Sequence, residues 1–151
     1  MSVSFVKTEG GPLFPVPYLF GSLYKVIRRM KHPMTLMIVD DSTSMRRAVR
    51  EYLARIFPAM EFVECVAGED ALAAYDCNRP EWTLMDIQMG SVDGIAATKV
   101  IRSAFPDARI VMLTQYDDAD LRAEAFSAGV IGYFLKDNLT EVGTFISQLQ
   151  E

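Results

Sequence analysis

From Thr35 onward, hydrophobic positions fall into two alternating rhythms. Short apolar runs recur at Leu36-Met37-Ile38-Val39, Phe62-Val63-Glu64-Cys65-Val66, Trp82-Thr83-Leu84-Met85, Arg109-Ile110-Val111-Met112-Leu113-Thr114 and Tyr133-Phe134-Leu135. Runs of this length predict buried strands. Between them the spacing turns helical. Met45, Ala48, Val49, Tyr52, Leu53 and Ile56 form one stripe, with Arg46, Arg47, Arg50 and Glu51 assigned to the opposite face. Ser42 or Thr43 supplies the cap and Pro58 the stop. Gly68 followed by Ala71, Leu72 and Tyr75 predicts a short helix closed before Pro80. Asp93-Gly94 opens a helix containing Ile95, Val100 and Ile101, stopped by Pro106. Asp117, Asp118 and Asp120 load the first turn of the next helix, where the dipole favours acid. Its inner face is Leu121, Ala125 and Ala128, and Gly129 ends it. Val142, Phe145, Ile146 and Leu149 stripe a last helix. Five strands alternating with amphipathic helices predict an α/β domain, a doubly wound parallel sheet with helices on both faces.

Residues 1–34 break this pattern. Pro12, Pro15 and Pro17 punctuate an aromatic-rich stretch with Gly10, Gly11 and Gly21. The segment holds five basic residues against Glu9, a net of +4, so the remainder carries −9 of the total −5. The domain boundary is therefore placed at 34/35, with an extension at 1–34 and one domain at 35–151. Leu19, Phe20, Leu23, Tyr24, Ile27 and Met30 form a stripe at helical spacing beside basic residues. The expectation is a loose or weakly helical extension rather than a membrane-contacting helix. A basic start followed by an unbroken apolar run is missing, so no signal peptide is expected. The negative balance argues against the whole chain binding nucleic acid. Cys65 and Cys77 make no metal-ligand spacing and fit a reduced, cytoplasmic setting.

Reactive side chains gather at strand ends: Asp40 and Asp41 after the first, Asp86 after the third, Thr114 at the fourth, Lys136 after the fifth. In an open parallel sheet, ligands bind beyond the carboxyl ends of the strands, where strand order reverses. If the first and third strands are neighbours, three carboxylates converge, and like charges this close need a cation. Oxygen ligands in small number suit Mg²⁺. Such an ion would also neutralise a phosphoryl group attacked by one carboxylate. A lysine and a hydroxyl nearby could hold the remaining phosphoryl oxygens.

The motifs Met37-Ile38-Val39-Asp40-Asp41-Ser42, Leu84-Met85-Asp86-Ile87-Gln88-Met89, Val92-Asp93-Gly94, Val111-Met112-Leu113-Thr114 and Gly132-Tyr133-Phe134-Leu135-Lys136-Asp137 together resemble the receiver domain of two-component response regulators. The resemblance runs from about Thr35 to Gln150. It implies a flavodoxin-like (βα)5 fold with strand order 2-1-3-4-5. It implies Asp86 as phosphoacceptor, and Asp40, Asp41, Asp86 and the backbone carbonyl of Gln88 as Mg²⁺ ligands. Thr114 and Lys136 would bind the phosphoryl group, and Tyr133 would be the switch aromatic. The implied partner is a sensor histidine kinase or histidine phosphotransfer protein, with homodimerisation a further option. Three departures from the family pattern stand out. Gly90 replaces a frequent proline, Asp137 follows Lys136 where proline is common, and Gln88 and Tyr116 occupy positions that tune dephosphorylation. The Leu135-Lys136-Asp137-Asn138 form is similar to receivers that precede a helix-turn-helix domain, for which the chain to Glu151 leaves no room. Two other readings remain open: a small phosphohydrolase using an aspartyl-phosphate intermediate, and a receiver-like interaction domain that takes no phosphate. Against the first, Gln88 stands where such hydrolases place a second aspartate.

Overall fold

The computed structural model describes residues 33–150, together with two short strands, Phe5–Val6 and Phe14–Pro15. The chain divides into two units, Met1–Pro33 and Met34–Glu151. In the first, the two short strands pair antiparallel, Phe5 opposite Pro15. The amphipathic stripe expected between Leu19 and Met30 lies outside the described residues.

In the second unit the elements alternate: β1 (Thr35–Val39), α1 (Thr43–Ile56), β2 (Glu61–Cys65), α2 (Ala71–Asn78), β3 (Trp82–Met85), α3 (Gly94–Ala104), β4 (Ile110–Thr114), α4 (Ala119–Ala128), β5 (Gly132–Leu135) and α5 (Leu139–Gln148). A short 3₁₀ turn, Gly68–Asp70, precedes α2. All five strands run parallel in the order β2-β1-β3-β4-β5. The strand order implied by the resemblance is the one observed.

The uninterrupted apolar runs are explained by two-sided burial. Every residue of β3 and of β4 is buried. Odd and even positions feed two separate cores. Met37, Val39, Met85, Ile110 and Met112 pack with Tyr75, Ile95, Ile101 and Ala125, so α2, α3 and α4 cover one face. Leu36, Ile38, Leu84, Val111 and Leu113 pack with Val49, Leu53, Val142 and Ile146, so α1 and α5 cover the other. Side chains point alternately to opposite faces of a strand, so one run can serve both layers.

Helix starts follow local chemistry. Ser42, Asp93 and Asp118 each accept a hydrogen bond from the backbone N–H three residues on, at Met45, Ala96 and Leu121. Each satisfies a donor that the helix itself leaves unpaired. Gly129 ends α4 at φ 106°, a left-handed conformation that costs glycine little.

Five assignments differ in detail from the sequence pattern; one is Ile56, assigned to the apolar stripe of α1 but exposed. Strand β2 starts at Glu61 and ends at Cys65, leaving Val66 exposed. Val100 is exposed, and the buried face of α3 is Ile95, Ala97, Thr98 and Ile101. Leu149 is exposed and lies past the end of α5. Most consequential, Ala48 is exposed and Arg46 is buried. Each helical residue advances about 100°, so Arg46, Val49 and Leu53 share the inward face and Ala48 lies about 200° from Arg46. A charged residue is tolerated in the first turn because it lies over the polar rim of the sheet rather than its apolar middle.

Candidate functional site

Strand order reverses between β1 and β3: the chain leaves β1 to build β2 on one side and returns to build β3 on the other. A crevice of this kind lies at the carboxyl ends of the two strands. Asp40 and Asp86 are the first residues beyond those ends. The backbone N–H of Asp86 donates to Val39 O at 2.9 Å, and that of Asp40 donates to Cys65 O at 3.1 Å. Parallel pairing thus extends one bond past the strands and sets both side chains on the same rim.

Both carboxylates are buried, Asp40 at 3% and Asp86 at 4% exposure. Lys136, first after β5, reaches across the rim. Its ammonium lies 2.7 Å from Asp40 Oδ2 and 3.1 Å from Asp86 Oδ2. The backbone N–H of Lys136 donates to Thr114 O at 2.8 Å, which fixes the base of that arm. Asp41 is exposed beside the crevice. One oxygen from each of Asp40, Asp41 and Asp86 lies within 4.8 Å of the others. The four residues that the strand-end argument singled out as charged therefore do converge.

The charge balance is incomplete. Among the described residues, the buried Asp86 Oδ1 has no hydrogen-bond partner. Burial, and then repulsion from Asp40, pushes the Asp86 carboxyl above its ordinary pKa, with Lys136 opposing. Burial disfavours the Lys136 cation, yet its hydrogen bonds and attraction to Asp40 and Asp86 outweigh that and raise its pKa. One lysine thus faces two buried carboxylates and a third exposed one. A half-satisfied arrangement of this sort is costly unless something positive joins it. A divalent cation fits the donor set, which is all oxygen, and fits the orphaned Asp86 oxygen.

The loop after Asp86 is packed, not free. Ile87 and Met89 are buried while Gln88 is exposed. Gly94 N donates to Ile87 O at 2.8 Å, closing the loop onto the start of α3. A Cβ at Gly94 would collide with the Asp86 carbonyl oxygen and come within 2.8 Å of its carbonyl carbon and of Met85 Cγ. Only glycine admits so close an approach. Gly90 takes φ 38° with open space around it.

Thr114 is fully buried at the end of β4. Its hydroxyl accepts from Tyr116 N at 3.3 Å, and no hydrogen bond joins it to Asp86 among the described residues. Tyr133 is buried, and its hydroxyl donates to Tyr116 O at 2.7 Å. Arg122 of α4 lies over the Tyr133 ring at 4.5 Å. Thr114 and Tyr133 are therefore linked through the Tyr116 backbone, Thr114 one strand away from Lys136 and Tyr133 on the strand that leads into it.

One participant was not legible in the hydrophobic pattern. Arg46, 8% exposed, donates from Nη1 to the backbone carbonyl of Asp40 at 2.8 Å. Its Nε lies 3.5 Å from Glu64 Oε1 of β2. A backbone acceptor leaves no trace in a sequence. The only cue was its place four residues into the helix that follows the acid pair.

Comparison with known proteins shows which family shares this fold. Residues 36–144 match the response regulator receiver domain family. The transcriptional regulatory protein YxjL of Bacillus subtilis is 34% identical over 111 residues, covering 74% of this chain and 51% of that protein. LnrK of the same organism is 36% identical over 106 residues, covering 68% of this chain and 46% of that one. The chain thus spans about half the length of the curated relatives it matches. Among solved structures, a LuxR-family two-component response regulator from Aurantimonas sp. superposes with a TM-score of 0.72 at 29% identity, covering 76% of this chain and 83% of that one. The receiver domain of NarL from Mycobacterium tuberculosis, at 22% identity, shares the fold with a TM-score of 0.70, covering 78% and 96% of the two chains. This chain belongs to the response regulator receiver domain family.

Proposed function

We propose that Asp86 accepts a phosphoryl group from the phosphohistidine of a sensor kinase or phosphotransfer protein. The observation that carries this reading is the Asp86 side chain itself: Oδ2 is held by Lys136 while Oδ1 is buried and unpartnered. One oxygen is anchored, and the other keeps a lone pair that no described group engages. An Oδ1 electron pair forms the new O–P bond as the N–P bond breaks. The electron pair of that bond stays on the imidazole, which takes up a proton. Asp40, Asp41, Asp86 and the Gln88 backbone carbonyl would hold Mg²⁺, which when bound neutralises charge on the phosphoryl oxygens. Lys136 remains beside the product and pairs with a phosphoryl oxygen. Thr114 supplies a hydroxyl to the same group, at the cost of the contact it now makes with Tyr116.

The resulting dianion then biases a two-state element, as a local charge can. Thr114, the Tyr116 backbone and Tyr133 form that element, and the output is altered partner binding or homodimerisation. Gln88 carries no titratable group, so we read the chain as a phosphoacceptor rather than a turnover hydrolase. We also read residues 35–151 as the receiver and 1–34 as a separate extension, in line with the division at Pro33. A cytoplasmic location suits partners of this kind. Transcriptional control is named for longer relatives, of whose length this chain spans about half.

The test is incubation with acetyl phosphate, with and without Mg²⁺, followed by measurement of protein-bound phosphate. Wild type should take up about one equivalent only with Mg²⁺, and Asp86→Ala none. Equal labelling of both proteins would refute the assignment.

A further inference from the structure

We propose that Arg46 is the positioning residue for the acid pair: its buried guanidinium fixes the Asp40 backbone and so aims the Asp40 and Asp41 carboxylates. The proposal rests on the Mg²⁺ site described above and extends it to a residue that touches neither metal nor phosphate.

Asp40 and Asp41 sit between the end of β1 and the cap of α1, with no helix or strand of their own. Besides the Lys136 ammonium, 2.7 Å from Oδ2, three contacts hold Asp40 there. Its N–H donates to Cys65 O at 3.1 Å, and its Oδ1 accepts from Ser42 N at 2.8 Å. Its carbonyl oxygen accepts from Arg46 Nη1 at 2.8 Å. The first two would be made by many turns at a helix start. The third brings in a buried cation, which is a costly way to satisfy one carbonyl.

The guanidinium makes two further, longer contacts. Nε, which has no hydrogen-bond partner among the described residues, lies 3.5 Å from Glu64 Oε1, and Nη2 donates to Thr43 Oγ1 at 3.4 Å. Arg50, one turn on, approaches Glu64 Oε2 at 3.7 Å. Arg46 therefore ties three pieces together: the β1–α1 turn, the first turn of α1 and the edge strand β2. Its fork is planar and rigid, so it transmits a fixed geometry in a way that a lysine ammonium does not. Groups that orient metal ligands from behind commonly set affinity as strongly as the ligands do.

Electrostatics and positioning predict opposite signs, which makes the proposal testable. Arg46 places a positive charge near a cation site. If charge alone mattered, removing it would tighten Mg²⁺ binding. If it positions Asp40, removing it loosens the ligands and weakens binding.

The experiment measures Mg²⁺ affinity by isothermal titration calorimetry on the full chain, for wild type, Arg46→Met, Arg46→Lys and Arg47→Met. Arg47 is exposed, pairs with Glu51 and does not touch Asp40, so its variant reports the loss of one charge from the same helix. Amide hydrogen exchange at Asp40 and Ser42 in metal-free protein is read alongside. The expected result is about a 10–100-fold weaker Mg²⁺ dissociation constant for both Arg46 variants. The Arg47 variant should bind like wild type. Exchange at Asp40 and Ser42 should quicken in the Arg46 variants only. If Arg46→Met fails to fold, Arg46→Lys, which keeps charge and stem, carries the same comparison. Mg²⁺ binding in a folded Arg46 variant as tight as wild type, or tighter, overturns the proposal, as does unchanged exchange. If wild type shows no saturable Mg²⁺ binding, the reading of the site fails. In that case faster exchange in the Arg46 variants would still support positioning of Asp40, and unchanged exchange would remove that too.

Discussion

Replacing Gly94 by alanine probes how tightly the phosphoacceptor loop is built. The new Cβ would overlap the carbonyl oxygen of Asp86 and lie 2.8 Å from its carbonyl carbon and from Met85 Cγ. Met85 can turn its side chain aside, but the Asp86 carbonyl is backbone and carries the acceptor side chain with it. Either the loop moves or α3 backs away. Overpacking of this sort costs about 1–3 kcal/mol. Retreat of α3 also stretches the bond from Gly94 N to Ile87 O, now 2.8 Å, worth about 1 kcal/mol. The better helix propensity of alanine returns up to about 1 kcal/mol. The net expectation is a loss of about 1–3 kcal/mol, or a fall in Tm of roughly 3–15 °C for a domain of this size. Urea unfolding followed by circular dichroism measures it, and phosphate uptake from acetyl phosphate reports the displaced Asp86. Gly90→Ala is the control, since its Cβ meets nothing and only φ 38° is strained, costing about 1 kcal/mol. A Gly94→Ala protein as stable as Gly90→Ala, with undiminished labelling, would show that the loop yields freely and that the close approach does not hold the acceptor.

Three further expectations follow from the site's charges and from the chain's division. Asp86→Asn should stabilise metal-free protein at pH 7, because a buried carboxylate beside Asp40 is held above its ordinary pKa. The sign follows from proton linkage: the folded state holds that proton more tightly, so the ionised group costs stability above its folded pKa and the advantage of asparagine fades as pH falls through it. Urea titrations at several pH values check this, and a variant less stable than wild type at pH 7 contradicts it. Lys136→Met should cost metal-free protein about 2–4 kcal/mol, since it strands two buried carboxylates. Added Mg²⁺ should stabilise that variant more than wild type in a thermal melt; equal shifts would show that lysine and metal do not share the same oxygens. Deleting Met1–Pro33 should leave the unfolding free energy of the rest within about 1 kcal/mol and labelling intact, because the chain divides into two compact units at that point. A large loss in either would show that the extension supports the domain.

The sheet was legible because its strands admit one reading. β3 and β4 are buried on both faces, so each appears as an uninterrupted apolar run. β2 is an edge strand with exposed Glu61 and Glu64, and its ends were accordingly less sharp. In α1 the hydrophobic count favoured Ala48 over Arg46. Side-chain type does not reveal that the first inward position lies above polar backbone, where a guanidinium is worth more than a methyl group. The charged site was legible because function concentrates at strand ends, and Asp40, Asp86 and Lys136 are the residues just past three of them. What stayed hidden depends on backbone proximity. The Arg46 bond to the Asp40 carbonyl, the Gly94 contact with the Asp86 carbonyl and the Tyr133 bond to Tyr116 all end on main-chain atoms. Main-chain atoms are the same at every residue, so their partners have no signature in composition or spacing.

The central claim is that Asp86, rather than Asp40 or Asp41, is the residue whose carboxylate becomes bonded to phosphorus. It is tested most directly by treating the phosphodonor-labelled protein with borohydride, which reduces an aspartyl phosphate to homoserine, and locating that residue by peptide mass mapping. The account predicts homoserine at position 86 alone, formed only when Mg²⁺ was present during labelling. Homoserine at 40 or 41 instead, or phosphate retained on a residue that borohydride does not convert, would contradict it.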